Sequence, residues 1–451
     1  MVRFDGEMTT MEPATTLREA FQATNPQQSL GSGDPYYVDL TQARNSLATV
    51  YMKQMIENCG EGQYSPVALS GHRGSGKSTE LRQLEQALGS SCFMLYLDIA
   101  DFLDPQDVDY TDLFLLVCRQ LLESLHGNEV SLSENLLHEV EKWFLDVTKE
   151  TEKSLELSGG VGVEAKAGAE IPFLARLLGV ITASIKAGSK RKEITREQLD
   201  HYFSGLSSNT NVLLTAASQA LRDANKPYQL LVVFDNLDRL PPKKSEELFF
   251  AHGSQLQEMA CHAVYTVSID TYYSRRHLAN VFPNRQIIPN VKLRSSKSGS
   301  EPNRPGVDAL LQVIQKRLSV EVLPQPSALA EEFVRRSGGS IRQLIRLLRE
   351  AVQSAQARGL ATLDSEALED AARSIQQDYE RMLEPSDYKL LAHTWANKGI
   401  EKDDAHMQLL SNLAILEYNG KELWHDVNPL IEPIDAFQSA VKRNRPKRRP
   451  R

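Results

Sequence analysis

Residues 71–79 read Gly-His-Arg-Gly-Ser-Gly-Lys-Ser-Thr (GHRGSGKST). The stretch fits G-x-x-x-x-G-K-[ST] through Gly71, Gly76, Lys77 and Ser78. Glycines let the backbone curl so that successive N–H groups point inward at an anion. An apolar run, PVALS (66–70), precedes the loop, and an amphipathic stretch from about Ser78 to Leu88 follows it. Strand, loop and helix together are the context such a loop needs, and the helix start adds a positive field. The backbone and side chains of Gly71, His72, Arg73, Gly74, Ser75, Gly76, Lys77, Ser78 and Thr79 are therefore candidate phosphate ligands. Lys77 is expected at the β- and γ-phosphates of a nucleotide, and the Ser78 hydroxyl on Mg²⁺.

Working outward, FMLYLDI (93–99), LLVVF (230–234) and AVYTVSI (263–269) are further near-continuous apolar runs separated by helical stretches. That alternation predicts a parallel sheet covered by helices on both faces. In LLVVFDNLDR (230–239), Asp235 follows the apolar run directly and is expected at the sheet's C-terminal edge, beside the phosphate loop, where ligands bind. An acid there holds Mg²⁺ through water. Asp238 lies three residues on. Either acid is placed to orient an attacking water, and only Asp238 remains if Asp235 serves the metal; an Asp before a helix also serves as an N-cap.

The rest of the chain divides as follows. Residues 1–35 are polar and read as a flexible arm. YYVDL (36–40) looks like a short strand, and Leu47, Val50, Tyr51 and Met55 give Asn45–Glu57 a helical spacing. The phosphate-loop core spans 36–295, interrupted by an inserted segment at about 126–225. Within it, 158–189 is rich in Gly and Ala and alternates with period two, which predicts a β-hairpin around an apolar tip, Ile171–Ile185. Helices are expected at about 306–320, 327–337, 340–357 and 365–383, an α-helical lid over 306–383. Residues 385–438 hold short helices and two strand-like runs joined at Asn419-Gly420, a hairpin signal, and so suggest a small winged-helix-like domain. Residues 441–451 form a basic tail.

Taken together, GHRGSGKST and LVVFDNLDRL resemble the additional-strand class of P-loop ATPases, near the AAA+ and STAND groups and especially the KAP-type ATPases. The resemblance covers about residues 36–350. It implies ATP as the nucleotide, hydrolysis to ADP and phosphate, and the acidic strand next to the P-loop strand. It also implies further site residues. Ser268, followed by Asp270, matches the sensor-one position. Gly338-Gly339 with Arg342 resembles the G-G-x-x-R sensor-two signature, and an Arg there has the planar fork suited to phosphate. Arg346 and Arg349 read as a solvated basic face. Arg275, Arg276 and Arg285 lie where arginine fingers sit in relatives. The candidate catalytic residues are thus Lys77, Asp235, Asp238, Ser268 and Arg342, with Ser78 and Asp235 for the metal. One departure is Asn236, where many relatives carry a second acid, which implies slow, switch-like hydrolysis or a nucleotide-binding scaffold.

Composition bounds the alternatives. The chain has 451 residues, 41% of them hydrophobic and 24% charged, which excludes a wholly disordered chain. No apolar run of about 18 residues predicts a membrane span, and no apolar leader stands at the N-terminus. The four cysteines form no CxxC pair, consistent with a cytoplasmic protein without a zinc site. The net charge is −8, yet VKRNRPKRRPR (441–451) carries seven Lys or Arg. Such a tail suits nucleic acid or an anionic surface. No nuclease, protease or kinase constellation appears elsewhere. The expected function is a nucleotide-driven switch or assembly motor, in a homo-oligomer and with a separate effector protein, and the resemblance implies a setting in bacterial anti-phage defence. A DNA-loading or DNA-sensing ATPase is the alternative.

Overall fold

The computed structural model describes residues 12–157, 173–186, 189–294, 301–324, 326–419 and 423–444. Five strands, β1 (Pro66–Ser70), β2 (Cys92–Asp98), β3 (Gln229–Asp235), β4 (His262–Thr266) and β5 (Arg285–Ile287), form one parallel sheet in the order β2-β3-β4-β1-β5. The apolar strands are continuous because both faces are covered. Leu231 and Val233 pack with the phosphate-loop helix Lys77–Leu88 through Leu81, Leu84 and Leu88. Val232 and Phe234 face the other way, where Phe234 stacks on Tyr265 with ring centroids 4.8 Å apart. The expected α/β sheet with helices on both faces is present. One strand is placed differently: β4 lies between β1 and the acidic strand β3, so β3 is not the neighbour of the phosphate-loop strand.

Other expectations are corrected. YYVDL pairs with no strand among the described residues. The Tyr36 and Tyr37 carbonyls instead accept from Arg317 Nη1 (3.2 Å) and Lys316 Nζ (2.7 Å), which satisfies this backbone without a ladder. The following helix, Ala48–Glu57, buries Ala48, Met52 and Ile56 and leaves Leu47, Val50 and Tyr51 exposed, the opposite face to the one the apolar spacing suggests. The described part of the N-terminal arm is ordered. Its helix Leu17–Ala23 starts with a Thr16–Glu19 capping box. Leu17, Ala20 and Ala23 sink into the lid.

Between β2 and β3 the described residues are helical. The apolar tip of the expected hairpin is the helix Phe173–Lys186, which buries Leu177, Ile181 and Ile185. Their spacing of four outweighs the period-two alternation beside it. The residues at 158–172 that were to form the first β-arm lie outside the described residues. In the lid, helices Arg304–Gln315, Ala328–Arg336, Ile341–Ala357 and Ser365–Met382 follow the expected positions closely. Beyond them come Pro385–Asn397, Asp404–Ser411, an antiparallel pair β6 (Ile415–Tyr418) and β7 (Trp424–Val427), and Asp435–Asn444. The Gly420 turn position and residues 445–451 of the tail lie outside the described residues. One hydrophobic cluster runs through the N-terminal helix, the lid and the C-terminal helices, from Leu17 through Leu344 and Leu391 to Phe437. No helix among the described residues is long and apolar enough to cross a membrane.

Ile181 tests the helical reading of the insertion. Ile181→Ala removes a fully buried side chain and is expected to cost about 2–5 kcal/mol, read as a lower melting temperature with the fold retained by circular dichroism.

Candidate nucleotide site

The parallel sheet sends the C-terminal ends of its strands to one edge, and the site is built there. Gly71, Gly74 and Gly76 all take φ between +80° and +149°. A Cβ at Gly71 would sit 2.5 Å from the Ile288 carbonyl, and one at Gly74 would overlap Arg342. These glycines are therefore required by close approach as well as by backbone conformation. Gly76 leads straight into Lys77–Leu88, so the helix start faces the loop.

Lys77 is almost completely buried. Its Nζ donates to the carbonyls of Gly71 (2.9 Å) and His72 (3.0 Å) and pairs with Asp238 Oδ2 at 2.8 Å. Burial opposes charge on Asp238, but the Lys77 ammonium, with Arg239 and Arg73 nearby, outweighs it and holds the carboxyl below its ordinary value. Arg342 lies over the loop, its N–H donating to Gly74 O at 3.3 Å. Its Nε is buried without a hydrogen-bond partner. Burial first, and then the Arg239 and Arg73 guanidinium groups, push the Arg342 pKa down. Lys77, Arg73, Arg239 and Arg342 line one cavity with Ser78, Thr79, Asp98, Asn236 and Asp238. With Arg44, Arg317 and Glu80 also in the lining, six cations face three carboxylates, two of them already paired, which leaves a surplus of positive charge that suits a polyphosphate.

Of the remaining expected site residues, Asp235 does not line this cavity. Its carboxylate accepts from Tyr96 Oη (2.5 Å) and from the Asn236 N–H (2.8 Å). Ser268 Oγ donates to Thr271 Oγ1 at 2.9 Å, in a recess that also holds Gly71, Arg73, Asp238 and Asp270. It is close to the loop but on the far side of Asp238. Arg346 pairs with Glu350 (2.7 Å) and Asp378. Arg349 is not a solvated residue: it stacks over the Phe21 ring at 3.6 Å and donates to the Phe21 carbonyl, pinning the N-terminal helix. Arg275 donates to the Lys402 carbonyl (3.0 Å) and Arg276 pairs with Glu246 (3.0 Å), while Arg285 is exposed on β5.

Several cavity residues escape the motif reading. Arg44, fully buried, pairs with Glu80 (2.7 Å) and donates to the Ser75 carbonyl of the loop. Thr266 Oγ1 donates to the Phe234 carbonyl (3.2 Å) and accepts from the Leu237 N–H (3.0 Å), fixing the turn after β3. The segment Asn25–Leu30 forms a wall of the cavity, tied to the loop helix where Leu30 N donates to Thr79 Oγ1 (3.3 Å). Only Asp98 carried a signal that could have found it: an apolar strand followed by an acid, the same pattern as Asp235.

Residues 51–264 match the family described as AAA ATPase domain. The match takes in the phosphate loop and the acidic strand β3. Three solved structures are similar in fold. Cdc6p from Pyrobaculum aerophilum has a TM-score of 0.39 at 10% identity, with 94% of this chain and 98% of that one covered. The Walker-type ATPase paby2304 of Pyrococcus abyssi has 0.40 at 12%, covering 93% and 99%. The Aeropyrum pernix ORC1 protein, in a complex with DNA, has 0.38 at 13%, covering 94% and 96%. No curated protein sequence matches the chain.

The phosphate loop also touches the C-terminal part. His72, the second residue of the loop, accepts at Nε2 from the Glu417 N–H of β6 at 2.8 Å. Glu417 accepts in turn from Tyr273 Oη, and His425 of β7 lies 3.8 Å from it. Burial lowers the His72 pKa to about 3, with Lys77 and His425 adding to the shift. Burial raises that of Glu417 to about 7. As for a metal, no group of three or more His, Cys, Asp or Glu among the described residues is placed to hold one. The donors near the cavity are hard oxygens, the Ser78 hydroxyl and carboxylates. That set fits Mg²⁺, which keeps water and substrate phosphate in its shell and takes one or two protein ligands.

Two outcomes follow from these burials. Lys77→Ala leaves the buried Asp238 unpaired and should destabilise by about 3–5 kcal/mol, whereas Lys77→Ala with Asp238→Ala should cost much less, as denaturant melts would show. His72 binds its proton less readily in the folded state than in the unfolded chain. Stability should therefore fall as pH drops below 6.5 toward about 3, by up to about 1.4 kcal/mol per pH unit. His72→Gln keeps an acceptor for Glu417 without the proton site, so melts at pH 7.5 and 5.5 should show a smaller acid loss in that variant.

Proposed function

We propose that the protein is an ATP-driven switch: it binds ATP with Mg²⁺ between the phosphate loop and the lid, hydrolyses it slowly, and passes the nucleotide state to its C-terminal β6–β7 unit. The observation that carries this reading is the His72 Nε2 to Glu417 N–H contact at 2.8 Å. His72, a member of the phosphate loop, is thus also the seat of β6, and a movement of one is felt by the other. Tyr418 Oη adds a second tie, donating to the carbonyl of Gly338 just before Arg342.

In this reading Lys77 exchanges Asp238 for β- and γ-phosphate oxygens, and the inward loop N–H groups hold the rest of the chain of phosphates. Arg342, with its buried unpartnered Nε, and Arg73 and Arg239 beside it, face the charge that grows on the transferred group. Ser78 would hold Mg²⁺, with Asp235 behind it through water; about two of the four lone-pair positions of that carboxylate are already taken. When bound, the metal supplies neutralisation of phosphate charge. Ser268, by the recess behind Asp238, serves to order this edge. The released Asp238 still faces the Arg239 and Arg73 guanidinium groups, which hold its charge. We further propose a homo-oligomer acting with a separate effector protein in the cytoplasm, in keeping with a chain that shows no effector chemistry of its own. Defence against phage is the setting that the KAP-type resemblance suggests.

The test is steady-state phosphate release from Mg²⁺-ATP, with Lys77→Ala, checked for folding, as the blank. Release above the blank is expected; none, with ATP still bound, leaves a nucleotide-binding scaffold. Tyr418→Phe removes the tie at Gly338 and should shift the ATP dissociation constant by about 5-fold or more, the lower end of ordinary coupling between sites. An unchanged constant would defeat the coupled switch. Double-stranded DNA in the same assay decides whether the basic residues of 441–451 act on nucleic acid: strong stimulation, lost on deleting the tail, would move the assignment to a DNA-dependent ATPase.

A further inference from the structure

The residue after Asp235 is Asn236, whose neutral amide cannot take a proton from water. The structure brings a carboxylate to the same spot from the next strand. In the β2–β3 register, Asp98 pairs with Asp235, so the two acids end neighbouring strands side by side. Asn236 is held in the left-handed region at φ 65°, and that backbone turns its side chain sideways along the sheet edge. Its Nδ2 donates to Asp98 Oδ1 at 2.7 Å. Both residues line the nucleotide cavity with Lys77, Ser78 and Arg342.

The other acids near the cavity are engaged or face elsewhere: Glu80 is paired with Arg44, and Asp270 lines the separate recess beside Ser268. Asp238 is paired with Lys77. Asp235 is held by Tyr96 and the Asn236 N–H and does not face the cavity. Among the described residues Asp98 pairs with no Lys or Arg, and it is only half-buried. Its one other bond is local: Oδ1 accepts from the Ala100 N–H at 3.1 Å and caps the short helix Ile99–Phe102.

We infer that Asp98 supplies the carboxylate that orients the attacking water and accepts its proton, with Asn236 as the residue that holds it toward the cavity. This rests on the ATPase reading above. In the step, the water oxygen forms a bond to the γ-phosphorus. The bond from that phosphorus to the β–γ bridging oxygen breaks, and its electron pair leaves on ADP. The water proton passes to the Asp98 carboxylate and from there to solvent or to the released phosphate. A water-orienting acid is thus delivered from β2 instead of from the position after the β3 aspartate.

Asp98→Asn is the discriminating variant. Asn caps helices as well as Asp does, and its side-chain oxygen still accepts from Asn236, so the substitution removes charge and little else. Turnover is expected to fall about 100-fold, the lower end of what general acid–base catalysis contributes. ATP affinity, read by calorimetry, and the Mg²⁺ concentration that half-saturates binding should change less than about 2-fold on this account. Asp98→Asn combined with Asn236→Asp moves the carboxylate one strand over and should recover at least about 10 of that 100-fold loss. Unchanged turnover in Asp98→Asn overturns the inference while leaving the ATPase reading intact. A matching loss of ATP or Mg²⁺ affinity also overturns it, making Asp98 a ligand. Wild-type protein that binds ATP and releases no phosphate overturns the ATPase reading and this inference together.

Discussion

The buried pair of Lys77 with Asp238, 2.8 Å apart, constrains everything around the phosphate loop. A lone ammonium at this depth would be costly, and so would a lone carboxylate. Each is tolerable because the other is there, and because the Gly71 and His72 carbonyls take two further ammonium protons. The pair in turn needs β3 and the loop at one height, which the parallel register provides. It also makes a triphosphate a competitor: phosphate oxygens can replace Asp238 on Lys77, and the surrounding Arg73, Arg239 and Arg342 are then no longer crowded against one another without enough counter-charge. Burial is the first cause of the lowered Arg342 pKa, and the share added by Arg239 and Arg73 is the charge surplus that an anionic ligand would relieve.

The same lid that carries Arg342 is not a separate body. Gly338 and Gly339 have φ of 59° and 81°, and side chains at either would collide with Leu416 of β6 and with Val291. The turn before Arg342 is therefore pressed between the end of the sheet and the C-terminal hairpin. With Leu17, Leu344, Leu391 and Phe437 in one apolar cluster, the N-terminal helix, lid and C-terminal helices share a core. A change in the seat of the hairpin is felt at Gly338, and through it at the residue closest to Gly74.

How far this was legible follows from how local each signal is. The phosphate loop, the buried strands and the lid helices are written in short windows of sequence, where glycine spacing and apolar periodicity act directly. The tip of the insertion was misread because the period-two reading gave no weight to Leu177, Ile181 and Ile185, which lie four apart and carry the packing there. Leu47, Val50 and Tyr51 misled in the opposite sense, since an apolar face is buried only where something covers it. The N-terminal segment looked like a loose arm because its partners, Arg349 and Thr79, are far away in sequence. No local pattern announces a cation–π contact 328 residues distant.

Asp98 is the instructive omission. Its strand was recognised and its acid ignored, although FMLYLD and LVVFD have the same form. The reason lies in strand order: a reading that sets the acidic strand directly beside the phosphate loop has no use for the strand beyond it. With β4 inserted between β1 and β3, the centre of the edge moves one strand outward, and β2 comes within reach of the cavity. The left-handed turn at Asn236, fixed by Thr266 of that inserted strand through the Leu237 N–H, then points the amide at Asp98 and not at the loop. Strand order, a property that no single stretch of sequence contains, thus decides which acid can meet a nucleotide, and an amide in place of an acid at 236 reads as a relay to β2 instead of as a loss.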